Sequence, residues 1–121
     1  MKQNNEEYPV WYWRDGLHDA HITDITVKRS GWNAADNCLI IKLDSDGAMF
    51  AQDITELRFY GFAVKSKNFD LELLVNSWWL HDDIFKKADR YLLQVKLDTA
   101  KGKKWLDITF DRAEVVRKPN N

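Results

Sequence analysis

Residues 91–98 read Y-L-L-Q-V-K-L-D, and apolar side chains recur in this run at every second position. One face is formed by Tyr91, Leu93, Val95 and Leu97. A period of two residues is that of a β-strand with one face in a core and the other in water. A helix would repeat its apolar positions every three to four residues instead. The run therefore predicts a half-buried strand.

Further runs with the same period lie on both sides of residues 91–98. We predict strands over residues 20–29, 38–43, 54–64, 69–75, 78–85 and 106–110. Segments rich in Gly, Asp, Asn and Ser separate them, as is typical of turns in antiparallel sheets. The sequence therefore predicts an all-β fold, an antiparallel sandwich or partly open barrel of about six to eight strands.

Residues 82–90 leave two structures open. Ile84 and Phe85 begin a helical spacing of apolar residues, and Asp82 and Asp83 suit the N-terminus of one short helix. The same residues fit a strand that ends in a turn. We favour the strand because the neighbouring segments are strands.

Two of the predicted strands change phase along their length. Ala20 and Ile22 share one face, whereas Ile25 and Val27 share the other. A β-bulge shifts the apolar phase by one residue in this way. A second change near Asp111 predicts another bulge or kink.

Length and charge limit the class of protein. The chain of 121 residues fits one domain over residues 1–121, with flexible tails at residues 1–9 and 118–121. Its 18 basic and 19 acidic side chains give a formal net charge of −1, whereas nucleic-acid binders usually carry a basic excess. No apolar run is long enough to cross a membrane. We therefore expect no nucleic-acid partner, no membrane partner and a cytoplasmic location.

The densest polar chemistry lies in residues 10–27, which read V-W-Y-W-R-D-G-L-H-D-A-H-I-T-D-I-T-V. His18, Asp19 and His21, with His81, Asp82 and Asp83 further along, are residue types that bind zinc, manganese or iron. On a strand, however, His18 and Asp19 point to opposite faces. A small metal-assisted enzyme that uses His18, His21 or His81 is therefore an alternative. We expect no cofactor and no bound metal.

We favour a structural interpretation of the same stretch. Trp11 to Trp13 predict the start of a short strand, followed by a turn. His18 and Asp19 would tie this turn to a neighbouring backbone. The turn consists of Arg14, Asp15 and Gly16. This structural interpretation assigns no catalytic residue.

Six tryptophans stand out in a chain of this size. Large aromatic side chains supply much buried area, so core filling is the first explanation for each. Trp78 and Trp79 are neighbours on a predicted strand, so one faces the core and the other faces outward. An exposed tryptophan would suit a protein partner, or a sugar ring in a carbohydrate-binding module. The candidates are Trp11, Trp13, Trp32, Trp78 and Trp79.

The opening of the chain resembles that of small uncharacterised bacterial proteins described as domains of unknown function. The resemblance covers about Trp11 to Ile25 and rests on an aromatic residue, the triplet His18-Asp19-Ala20 and a following strand. Steps of the I-x-F type at Leu57–Phe59 and Ile108–Phe110 are similar as well. Some proteins of this kind are thought to be immunity proteins that neutralise a toxin by binding it. The resemblance implies no catalytic residues.

We therefore expect a non-enzymatic β domain that acts through protein–protein contact, as an immunity-like partner or as a homo-oligomer such as a homodimer. The metal-assisted enzyme and the carbohydrate-binding module are the alternatives. The candidate interaction or structural residues are Trp11, Trp13, Arg14, Asp15, His18, Asp19, Trp78 and Trp79.

Overall fold

The computed structural model describes residues 8–29, 37–67 and 69–119, which form an antiparallel β-structure. The strands are β1 (His21–Lys28), β2 (Cys38–Asp44), β3 (Ile54–Tyr60), β4 (Ala63–Val64), β5 (Trp78–Lys87), β6 (Arg90–Thr99), β7 (Gly102–Phe110) and β8 (Arg112–Arg117). Two short 3-10 helices span Arg14–Leu17 and Leu71–Leu74. In this part of the chain no helix is long and apolar enough to cross a membrane. The predicted all-β fold is confirmed.

The strands form one sheet in the order β4-β7-β6-β5-β1-β2-β3-β8. The two ends of this order meet again, because β3 leads into β4 and β7 leads into β8 along the chain. Tyr60 pairs with Arg112, and three positions further along both strands Ala63 pairs with Thr109. One register therefore continues across both strand breaks. The sheet curls into a partly open barrel, which is one of the two closures that the sequence predicts.

The barrel is open between β1 and β5. Their ladder contains the pair His21 with Trp78, and beyond it the strands run apart. We call this opening between β1 and β5 the seam. On one side of the seam, Asp19 N–H donates to the carbonyl of Trp79 at 2.7 Å. The chain just before β1 therefore lies along β5 in place of a strand.

The other side of the seam is covered by the chain that precedes β5. Asn76 N–H donates to the carbonyl of Ile22 at 2.8 Å, and Ile22 N–H donates to the carbonyl of Ser77 at 2.9 Å. Leu74, in the second 3-10 helix, is fully buried against the core. The two covering segments thus extend the barrel wall with irregular backbone.

Inward-facing side chains from all parts of the sheet fill one core. Phe59 on β3 and Phe110 on β7 contact each other, with ring centroids 4.8 Å apart. With Trp79 they are the largest fully buried side chains. Burial of a side chain of this size contributes about 1.5–3 kcal/mol to folding.

Both predicted phase changes are confirmed. The register between β1 and β2 shifts between Ile22 and Asp24, which places a bulge where the apolar pattern changes face. At the second position, Asp111 separates β7 from β8, and its N–H donates to the carbonyl of Tyr60 at 2.8 Å. The favoured strand in the region of residues 82–90 is also confirmed and the helix alternative is wrong, although β5 continues to Lys87, two residues beyond the predicted strand end at Phe85.

The predicted strand over residues 69–75 is wrong, because Leu71–Leu74 form a 3-10 helix. Asp70 caps this helix: its carboxylate accepts from Glu72 N–H at 3.0 Å, and its carbonyl accepts from Leu73 N–H at 2.9 Å. An Asp side chain that bonds to nearby backbone competes with a strand ladder. Alternating leucines alone could not show this.

The predicted short strand at Trp11 to Trp13 is also wrong. Trp13 is buried, and Trp11 and Tyr12 pack against the core beside it, whereas a strand would direct Tyr12 to the opposite face. Trp32, one of the aromatic candidates, and most residues of the predicted tails lie outside the described residues.

The predicted strand over residues 54–64 is interrupted at Gly61, where the barrel changes from the β3–β8 pairing to the β4–β7 pairing. Gly61 has a φ of +66°, and a Cβ there would overlap the carboxylate of Asp111. Arg90 pairs with Asp111 and also donates to the Gly61 carbonyl at 2.9 Å. We call the point where the pairing changes the crossing. Position 61 at this crossing therefore needs a residue without a side chain.

We expect Gly61→Ala to lower the free energy of unfolding by about 1–3 kcal/mol more than Gly102→Ala does. Gly102 also has a positive φ, of +99°, but no atom lies within 4 Å of the position of its Cβ. The difference between the two variants therefore isolates the overlap with Asp111. Urea unfolding of both variants measures it, and equal losses would contradict this account of the crossing.

Candidate functional site

A buried carboxylate, Asp82, lies under the aromatic residues at the start of the domain. Asp82 is 4% exposed. Its Oδ1 accepts a hydrogen bond from the Tyr12 hydroxyl. Its Oδ2 accepts from the Trp13 indole N–H at 2.8 Å and from the Trp79 indole N–H at 2.6 Å. We call these four residues the Asp82 cluster.

The strand β5 places Asp82 inside the protein through a bulge. The register between β5 and β6 shifts between Trp79 and His81, so that Trp79 and Asp82 both face the core. A carboxylate without hydrogen bonds would be very costly in this position. Three donors from two separate parts of the chain remove most of that cost, because hydrogen bonds to a charged acceptor are strong.

Tyr12 is protonated in this cluster. Burial raises the pKa of its hydroxyl well above the ordinary range, and the charge of Asp82 and the hydrogen bond to it act in the same direction. Tyr12 therefore serves as a donor to Asp82. Its hydroxyl is not available as a base.

The remaining predicted residues of the opening stretch also have structural contacts. The Trp11 ring packs against Phe110 at 5.9 Å and against Tyr91 at 5.7 Å between centroids. The Arg14 guanidinium lies 5.2 Å from the centroid of the Tyr8 ring. The predicted turn at residues 14–16 lies in the 3-10 helix Arg14–Leu17, and the side chain of Asp15 lies outside what the structure describes.

The His18 side chain ties the turn before β1 to a neighbouring backbone as we expected, whereas Asp19 does so through its own backbone and not through its carboxylate. His18 Nδ1 contacts the carbonyl of Leu80, and it is the backbone N–H of Asp19 that bonds to Trp79. The Asp19 carboxylate is exposed and lies 3.7 Å from His18 Nε2. Asp19 has a φ of 74°, a conformation that Asp and Asn tolerate better than most residues.

The histidines do not converge on one centre. His18 and His81 line a cavity of about 320 Å³ together with Met49, Leu80 and Asp82. His21 lies apart, stacked on the Trp78 ring at 4.4 Å between centroids. Among the residues that the structure describes, no group of three or more His, Cys, Asp or Glu side chains could hold a metal ion. The geometry therefore gives the metal-assisted enzyme no supporting observation.

The outer surface of β5, β6 and β7 carries large apolar side chains. Trp78 on β5 is 46% exposed, whereas its neighbour Trp79 is 1% exposed, which confirms that the two point in opposite directions. Trp105 on β7 is 50% exposed and Phe85 on β5 is 42% exposed. Leu92 on β6 pairs with Phe85.

The register of the three strands places these side chains on one continuous surface. His81, Lys96 and Trp105 lie side by side across β5, β6 and β7, and the His81 and Trp105 rings meet edge to face at 6.4 Å. Polar and charged side chains lie between and around the apolar ones. We call this surface the aromatic face, and it consists of Trp78, His81, Phe85, Leu92 and Trp105.

Sequence reasoning did not single out Phe85 or Trp105, and it missed the structural role of Asp82. It placed Asp82 beside His81 in the possible metal-binding group and at the N-terminus of the alternative helix, although Asp82 precedes Ile84 by two residues and so shares its buried face on a strand. Trp105 directly precedes Leu106, the first of the inward-facing side chains of β7. Because side chains alternate between the two faces of a strand, the sequence already indicated that Trp105 faces outward. Nothing in the sequence indicated that Tyr12 and Trp13 contact Asp82, because these residues lie about seventy positions apart in the chain.

Comparison with known proteins places the chain in an uncharacterised group. A family model described as "Protein of unknown function (DUF4085)" matches residues 5–105. No curated protein matches the sequence, and no solved structure matches it.

We expect Asp82→Asn to lower the free energy of unfolding by about 1–3 kcal/mol, because an amide cannot accept all three hydrogen bonds and leaves a buried donor unpaired. The neighbouring variant Asp83→Asn is the control, since Asp83 is half-exposed and accepts from Ile84 N–H at 3.0 Å through an oxygen that an amide retains. Urea unfolding compares the two. Equal losses would contradict the role of the Asp82 cluster.

The raised pKa of Tyr12 predicts a loss of stability in alkali. The folded protein holds the Tyr12 proton more tightly than the unfolded chain, in which tyrosine titrates at about 10. This contribution to stability is complete below about pH 10 and falls as the pH rises above it. Urea unfolding of the wild type at increasing pH should show this decline, and Tyr12→Phe should weaken it. An identical decline in both proteins would contradict the assignment.

Proposed function

We propose that this chain, which belongs to the DUF4085 family, is a non-enzymatic domain that binds another protein through the aromatic face. The observation that carries the proposal is the exposure of two tryptophans, Trp78 on β5 and Trp105 on β7, on the outer surface of the sheet. The cytoplasm is the compartment that we propose for this contact. An immunity-like role is the form of the proposal that the resemblance of the opening stretch favours.

The two indoles are held in defined positions. The Trp78 ring lies at 17° to the His21 ring, and the Trp105 ring is perpendicular to the His81 ring. Rigid aromatic side chains lose little conformational entropy on binding, and tryptophan is enriched among the residues that dominate binding energy. A partner would therefore gain most from covering these rings.

The composition of the surface fits a protein partner. The apolar side chains of the aromatic face lie among both acidic and basic residues, such as Lys96, Asp98 and Lys103, so the surface mixes apolar and charged groups as non-obligate protein interfaces do. Three strands of this length offer roughly 400 Å² by strand spacing and rise, about half of what one side of a standard interface buries. The face would thus form the centre of a contact that extends beyond it.

A competing use of exposed tryptophans is stacking on sugar rings. In Trp78 one side of the ring is already covered by His21, and Trp105 meets His81 with its edge or face. These contacts hold the two tryptophan rings in place on a surface that carries both apolar and charged side chains. We therefore favour a protein partner and treat sugar binding as an outcome that the experiment can detect.

The experiment is to capture the partner by photo-crosslinking from the position of Lys96, between His81 and Trp105, and then to measure its affinity. We expect Trp78→Ala and Trp105→Ala each to raise the Kd by about 30-fold, the effect of losing a residue that dominates an interface. Their melting temperatures should stay near the wild-type value, because both side chains lie on the surface.

Phe50→Ala is the matched control, since Phe50 is 77% exposed but lies outside the aromatic face. It should leave the Kd unchanged. A crosslinked protein whose Kd responds to none of the tryptophan variants would contradict the proposal. Binding of a neutral polysaccharide that both tryptophan variants abolish would assign the face to sugars instead.

A further inference from the structure

Among the residues that the structure describes, one backbone edge of the strand β1 has no hydrogen-bond partner along half its length. Its other edge pairs with β2 from His21 to Lys28. On the seam side, the hydrogen bonds to the segment before β5 end at Ile22, where Asn76 N–H donates to its carbonyl. The 3-10 helix Leu71–Leu74 packs near β1 but donates no hydrogen bond to the strand beyond that point.

The direction of the free groups follows from the strand itself. Ile22 faces inward and directs its N–H and C=O towards the seam. After the bulge, Ile25 and Val27 are the side chains that pack against the core, so their N–H and C=O groups point to the same side. No backbone or side-chain group among the described residues bonds to them on that side. Two donors and two acceptors on the seam side of β1 are therefore without a hydrogen-bond partner among the described residues.

The side chains along this edge are complementary to a second copy of themselves. The edge reads Asp24-Ile25-Thr26-Val27-Lys28. In an antiparallel pair with its two-fold axis at Thr26, Asp24 would lie opposite Lys28 of the other copy, and Ile25 would lie opposite Val27. Opposite charges, Thr–Thr pairs and β-branched pairs are each favourable directly across an antiparallel ladder.

The backbone groups match the same register. With the axis at Thr26, Ile25 and Val27 of the two copies exchange N–H and C=O groups as hydrogen-bonded pairs, and Thr26 lies in a non-hydrogen-bonded pair, where side chains come closest. Asp24, Thr26 and Lys28 are exposed, and neither charge forms an ion pair among the described residues. A strand edge whose backbone groups lack ladder partners is a template for pairing with another chain.

We propose that two copies of this chain associate through β1, with Asp24 of each copy opposite Lys28 of the other. The ladder then runs from β2 through β1 into the β1 and β2 of the second copy. A two-fold contact of this kind uses the same surface on both copies and therefore closes as a dimer. The contact is separate from the aromatic face, which stays open to another partner.

Sedimentation equilibrium of the full chain over a range of concentrations tests the proposal. We expect a reversible dimer for the wild type. Asp24→Lys and Lys28→Asp should each be monomeric, because they place like charges opposite each other. An equimolar mixture of the two variants should restore the dimer, and so should the double variant, which keeps the wild-type net charge.

Val27→Pro provides a backbone test in the same assay. Proline removes the N–H that faces the open edge, while the bonds to β2 come from the neighbouring residues, so the variant should fold and be monomeric. Circular dichroism checks that each variant keeps the wild-type spectrum.

A wild type that stays monomeric at its highest soluble concentration would overturn the proposal and leave the aromatic face untouched. A dimer that resists the β1 variants but is lost in Trp105→Ala would overturn it too, and would show that the second copy binds at the aromatic face. The failure of the β1 contact is therefore distinguishable from the failure of the proposed function.

Discussion

The structure depends on one buried carboxylate that gathers hydrogen bonds from distant parts of the chain. Asp82 on β5 accepts from Tyr12 and Trp13, which precede the first strand, and from Trp79 on its own strand. The aromatic segment before β1 has no ladder of its own, so these bonds set its position. Its side chains then complete the core from the open side of the barrel.

The need for this cluster follows from how the sheet closes. The continuous register from the β3–β8 pairing into the β4–β7 pairing joins one pair of edges firmly, whereas β1 and β5 share a single ladder pair among the described residues. The open seam exposes backbone and core on both sides unless other segments cover it. Tyr12, Trp13 and His18 of the opening stretch are therefore bonded within the fold, and the contact that we propose lies on the outer surface of β5, β6 and β7.

The sequence allowed much of the fold to be predicted, because strand periodicity is a local property. The alternation at residues 91–98 and the phase change after Ile22 correspond directly to β6 and to the bulge in β1. The closure of the barrel and the Asp82 cluster could not be predicted in this way, since both depend on contacts between distant segments. The error at residues 69–75 has a local cause: the Asp70 cap outweighs an apolar alternation that is equally compatible with a strand.

The exposed surface was predictable only in part. Neighbouring Trp78 and Trp79 had to diverge, but the alternation did not show which of them faced outward. The convergence of Trp78, His81 and Trp105 requires the register of three strands. For the same reason the histidines looked like a possible centre in the sequence, whereas the structure uses His18 to hold a turn and His21 to brace a tryptophan.

Hydrogen exchange of the indole N–H groups, followed by NMR, tests the Asp82 cluster most directly. The account predicts that the Trp13 and Trp79 indole protons exchange as slowly as amides of the core, because both are bonded to a buried carboxylate. Those of Trp78 and Trp105 should exchange rapidly. A Trp13 indole proton that exchanges as fast as that of Trp105 would contradict the account, since the opening segment would then not be held on Asp82.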